Sequence, residues 1–158
     1  MADFSFGIKG TVDLYSLLIE DYEDFKTDKL SSKFAMRCAM DSWHIVDWLY
    51  KEFNAILINS YPNFNDYRAW VKTQCPQLAI MQDITNGSKH NQITFYTPQV
   101  DKTEVHHGAF SSGFSRDFDV STLDVHMKDG TKIYFEDIIE PVINFWHNHL
   151  TQDLGLAI

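Results

Sequence analysis

The sequence predicts an α+β fold: a helical bundle with a small antiparallel β-sheet, closed by a C-terminal helix. Apolar residues recur at helical spacing up to about residue 90, alternate as in strands from there to about 136, and return to helical spacing beyond. Segregated helix and strand patterns favour α+β over an alternating parallel-sheet fold. At 158 residues the chain fits one domain, 1–158, with a helical part over about 11–90, a sheet part over about 92–136 and a last helix over about 137–150.

The first helix is expected from near Thr11 to about Lys26, with Leu14, Leu18, Tyr22 and Phe25 on one stripe. Glu20, Asp21, Glu23 and Asp24 form its solvent side. Ser31 or Ser32 caps a long second helix reaching about Asn59, with an apolar seam of Phe34, Cys38, Ile45, Leu49, Phe53 and Ile56. Bulky Met36, Met40, Trp43 and Trp48 lie off that seam, which marks this helix as central. Tyr61-Pro62-Asn63 breaks the pattern before a short third helix around Asn65–Thr73, anchored by Phe64, Tyr67 and Val71. Pro76 suits a first helical position, so a fourth helix starts there with Leu78, Ile80, Met81 and Ile84 as its buried side.

Ile93–Tyr96 reads as a strand ended by Pro98, and Glu104–Phe110 as a weaker one. The clearest hairpin joins Ser121–Met127 to Thr131–Phe135 through Lys128-Asp129-Gly130, a strong tight-turn signal. Asp137 then opens the last helix, with Ile139, Ile143, Trp146 and Leu150 as its stripe and Pro141 tolerated in its first turns.

Composition limits the function. Thirteen Lys and Arg against 22 Asp and Glu give a formal charge of −9, which weighs against an extended nucleic-acid surface but allows a small pocket for a nucleotide. Aromatics make up 15% of the chain, enough to build both a core and an interface, so a homodimer is one expectation. Only Cys38 and Cys75 occur, the N-terminus lacks the basic-then-apolar pattern of a secretory signal, and no run approaches the ~18 apolar residues of a membrane helix. These features read as a reduced cytoplasmic protein without a membrane span.

The densest polar chemistry is Asp83-Ile-Thr-Asn-Gly-Ser-Lys-His90. On a continuous helix Asp83, Asn86 and His90 share one face, and Lys89 adds a cation suited to a phosphate or carboxylate. Asn86-Gly87 is equally a helix stop, which would put Ser88, Lys89 and His90 in a connection. On the second helix Arg37, Asp41, His44 and Lys51 form a stripe with Asp47 beside it; Arg37 and Asp41 fit an exposed ion pair, and Trp43 and Trp48 flank His44. If the second and fourth helices pack together, His44 and Asp47 converge on Asp83, Asn86, Lys89 and His90 as a ligand-binding or functional cluster.

Metal chemistry has less support. His44-x-x-Asp47 with His90 and Asp83 offers nitrogen and oxygen ligands, yet neither His-Glu-x-x-His nor a Glu-x-x-His pair of the di-iron type is present, so no metal and no cofactor are expected. His106-His107 and His147-Asn148-His149 point their rings apart and read as surface histidines. There is no Gly-x-Ser-x-Gly elbow; Cys38 reads as a core residue, and Cys75 before Pro76 as a partly exposed thiol favouring thiolate. The catalytic residues, if any, are not identified, and the absence of a complete catalytic motif favours a binding protein over an enzyme.

Trp43-His44-x-x-Asp47-Trp48, Cys75-Pro76 and Asp83-Ile-x-Asn86-Gly87-x-Lys89-His90 resemble a pattern in uncharacterised bacterial proteins of phages and mobile gene cassettes. The resemblance spans most of the chain, including the closing hairpin and the Phe145-Trp146 pair, and implies an accessory protein of mobile DNA without assigning an activity. The helical part also looks, more loosely, like HEPN-type domains, many of them toxin ribonucleases. That likeness sets His90 and Asn86 in the roles of the catalytic His and its polar partner. The Arg of that motif is missing, since position 82 is Gln, and Lys89 is an imperfect substitute.

Overall fold

The computed structural model describes residues 6–90 and 92–158; the signal-peptide reading of the N-terminus falls partly on residues 1–5, outside them. Helix α1 spans Thr11–Thr27 and packs on α2, Ser32–Glu52. After the short α3, Asn54–Leu57, come α4, Phe64–Gln74, and α5, Gln77–Lys89. Strands β1, Val100–His106, β2, Thr122–Met127, and β3, Lys132–Tyr134, form an antiparallel sheet in the order β1-β2-β3. Helix α6, Phe135–Asn148, packs on β2 and the bundle and ends in a π-helical turn, His149–Asp153. The fold is α+β, and no helix among the described residues is long and apolar enough to cross a membrane.

Helix α2 is central as its composition predicts, packed against α1, α3, α4, α5 and α6. Ser31 caps it by accepting from the Phe34 amide at 3.3 Å. It ends at Glu52 rather than near Asn59, because Phe53 takes a non-helical ψ of 22° and the chain restarts as α3, which leaves Ile56 exposed. Glu52 then caps the neighbouring helix: its Oε2 accepts from the Thr11 amide and hydroxyl, both at 2.6 Å. A carboxylate on the positive end of α1 thus ties the start of one helix to the end of the next.

Two acidic expectations are corrected. Asp21 is buried rather than on the solvent face of α1, and Arg37 pairs with it at 2.5 Å rather than with Asp41. Asp41 leans on the same carboxylate. Burial, followed by a hydrogen bond to Asp21 and its charge, raises the Asp41 pKa to about 7, with Arg37 opposing. Arg37 Nη2 faces Asp21 Oδ1, whereas the buried Asp41 Oδ2 has no hydrogen-bond donor among the described residues, and a proton held on Asp41 and donated to Asp21 relieves the repulsion between the two carboxyls.

The strand predictions fare unevenly. The hairpin forms with Gly130 at φ +89°, its Asp129 carboxylate accepting from the Thr131 amide at 2.9 Å. Residues 93–96 make no strand, because their segment is tied to α5 by side chains. The weaker strand lies earlier than expected, at Val100–His106, beginning where Asp83 holds the Gln99 and Val100 amides; beyond its end Gly108 passes too close to the Asp119–Val120 backbone for a side chain to fit. The last helix starts at Phe135, two residues before Asp137.

The histidine reading also changes at α6. His147 is exposed, but His149 is buried: its Nε2 meets the Tyr67 hydroxyl at 3.0 Å and its Nδ1 meets Asp153 at 2.7 Å. Its ring stacks on Phe145 and packs on Trp70. Cys75 is buried too, and burial raises its thiol pKa, the reverse of the expected activation.

The Asp41 pair makes stability depend on pH. Its folded pKa lies above the unfolded value of 3.8, so the folded state holds an extra proton between the two and loses stability as pH rises from about 4 to about 7. Asp41→Asn keeps a donor toward Asp21 without titrating. Urea unfolding should find the variant more stable than wild type at pH 8, with the gap closing toward pH 5. A gap independent of pH contradicts the shared proton.

Candidate functional site

Three helices each present a pair of residues four apart to one cavity of about 270 Å³: Trp43 and Asp47 from α2, Phe64 and Arg68 from α4, Thr85 and Lys89 from α5. His44, Val46 and Asn86 complete its lining. Trp43 and Phe64 give flat apolar walls, while Arg68 and Lys89 bring two cations. The Arg68 guanidinium lies 5.5 Å from the Phe64 ring centre and donates to Asn65 Oδ1 at 3.0 Å. Asp47 is ion-paired with Lys51 at 2.7 Å. Thr85 is buried, and its hydroxyl has no hydrogen-bond partner among the described residues.

His44 sits at the rim, partly open to solvent. The packed surroundings lower its pKa; Lys89 lowers it further and Asp47 opposes. The imidazole is therefore neutral at pH 7, able to donate from one nitrogen and accept at the other.

The six residues of the expected cluster divide between two cavities. His44, Asp47, Asn86 and Lys89 line the one just described. Asp83 and His90 line a larger one of about 540 Å³, between α5, the segment after it and β1. Helix α5 does run through Gly87 to Lys89, with His90 as its C-cap, so the continuous-helix alternative holds. His90 packs edge-on against Phe95 at 5.6 Å, on the side of that larger cavity.

Asp83 and Asn86 remain linked through Tyr96. The Asn86 amide donates to the Tyr96 hydroxyl at 3.2 Å, which donates to Asp83 Oδ1 at 2.7 Å. Asp83 Oδ2 accepts from the amides of Gln99 at 2.7 Å and Val100 at 3.0 Å. Burial, with the Asp83 contact, pushes the Tyr96 phenol up to about 12, while Asn86 and Arg68 pull the other way. Asp83 is therefore occupied as an anchor and holds Asn86 indirectly in place beside the cations.

Sequence reasoning missed Arg68, Thr85 and Tyr96. Arg68 follows Phe64 by four residues, a spacing that marks a shared face, but only packing shows that this face meets α5. A further polar group lies on the sheet, where Glu104, Asp124 and His126 bring potential ligand atoms within 4.8 Å of one another. Glu104 stands directly opposite Asp124, and the like charges are offset by Lys102 at 2.6 Å and Lys132 at 3.1 Å. No family model, curated protein or solved structure matches the chain.

Asp83→Ala removes three hydrogen bonds to a charged acceptor and should cost about 2–4 kcal/mol of stability. Hydrogen exchange should accelerate at the Gln99 and Val100 amides first. Unchanged protection there contradicts the anchoring role.

Proposed function

We propose that this is a non-catalytic binding protein that takes a small anion bearing a flat ring, such as an aryl or nucleoside phosphate or carboxylate, into the cavity between α2, α4 and α5. The observation that carries this reading is that Arg68 and Lys89 line one cavity together with Trp43, Phe64 and Thr85, whose buried hydroxyl has no hydrogen-bond partner among the described residues. In a chain of charge −9, two cations facing one small cavity make a local site for negative charge. Arginine offers a planar fork for a phosphate or carboxylate, and aromatic walls suit a ring. Asp47 is occupied by Lys51, and neutral His44 adds a hydrogen bond without charge.

An accessory role on mobile DNA, a cytoplasmic setting and a homodimeric state belong to the same reading. Free, buried Cys38 and Cys75 suit a reduced compartment.

The ribonuclease-like alternative gains one point. The arginine absent from the fourth-helix motif has a counterpart in Arg68 on α4, beside His44 rather than His90. It requires RNA cleavage that His44→Ala abolishes.

Calorimetric titration with phenyl phosphate, benzoate and inorganic phosphate tests the binding reading. Phenyl phosphate should bind more tightly than inorganic phosphate, and Arg68→Ala should weaken it about tenfold or more. Equal binding by wild type and Arg68→Ala overturns the site.

A further inference from the structure

Strand β1 is an edge of the sheet: β2 pairs with one side of it, and no strand among the described residues pairs with the other. Asp101, Lys102, Thr103 and Glu104 are all exposed. An open edge of this length is a template for another strand unless it is protected. Charge usually provides that protection, but here its order is self-complementary. Lys102 and Glu104 flank Thr103 on one face of the strand and pair with each other at 2.6 Å within the chain.

We infer that two copies of this chain pair antiparallel through β1, centred on Thr103, to form a continuous six-stranded sheet. In that register Lys102 of each copy faces Glu104 of the other, joining the two intrachain ion pairs into one alternating array of four charges across the axis. Shifting the register by one residue loses both matches and sets Asp101 against Glu104 or Asp101 against His106.

The ends of the edge match as well. Beyond the C-terminal end of β1, the loop to β2 exposes Phe110, Phe114 and Phe118, at 40%, 55% and 53%, with Phe110 in contact with the other two rings. Before the N-terminal end, Phe95 is 63% exposed beside His90. A two-fold axis through Thr103 brings the first end of one copy against the second end of the other, so the exposed rings cover one another. Clustered exposed aromatics of this kind mark association surfaces. The pairing is isologous, as a closed two-fold dimer requires.

This inference rests on the homodimer part of the proposed function and is independent of the ligand cavity. Sedimentation equilibrium across a concentration series tests it. Wild type should be a dimer; Lys102→Glu should raise the dissociation constant about tenfold or more, since both facing pairs become repulsive. The double variant Lys102→Glu with Glu104→Lys restores opposite charges across the axis and should recover the dimer. Phe114→Ser, at a side chain exposed in the single copy, should weaken association without loss of helical signal. A monomeric wild type, a dimer unaffected by Lys102→Glu, or a double variant that stays monomeric overturns the pairing. Phenyl phosphate titration should be unchanged in all these variants, so failure of the pairing and failure of the ligand site are read separately.

Discussion

Asp83 accepts three hydrogen bonds from the segment that carries the chain out of the helices and into the sheet. A buried carboxylate needs such donors, because an unpaired charge in an apolar setting is costly. The donors it recruits are two backbone amides and one phenol, all from residues 96–100. That requirement ties the start of β1 to α5 and leaves residues 93–96 outside the sheet. It also orients Asn86, one turn further along α5, through the shared Tyr96 hydroxyl. The larger cavity beside β1 and the cationic cavity beside α4 therefore lie on two sides of one anchored helix.

Much of the helical scaffold was legible in the sequence. The extent of α1, the cap at Ser31, the anchors Tyr67 and Val71 and the start of α5 followed from periodicity and capping chemistry. The hairpin was legible because Asp129-Gly130 supplies the conformation that its turn requires. What failed were residues whose role depends on a neighbour distant in sequence. Asp21 looked solvent-facing because α1 carries acids around it, and only Arg37 and Asp41 on α2 explain its burial. His149 looked like a surface residue until Tyr67, 82 positions earlier, supplied its partner. Ile93–Tyr96 has strand-like composition, but Asp83 satisfies the backbone that follows it.

The candidate site shows the same division. His44, Asp47, Asn86 and Lys89 were visible as polar residues on two helices that pack together. Arg68 was not, since nothing in its own segment marks it as part of that surface. Its arrival from α4 changes the character of the cluster from mixed polar to cationic. Asp83 and His90, which share the sequence stripe with Asn86, face the other cavity, because a helical face is wider than a single site.

Cation placement between aromatic walls is the central claim, and backbone amide shifts during a titration with phenyl phosphate test it most directly. The account predicts saturable shifts confined to α2, α4 and α5 around Trp43, Arg68, Thr85 and Lys89, with β1 silent. Shifts centred instead on Val100–Thr103 and His90, or no saturable shift at all, would contradict it.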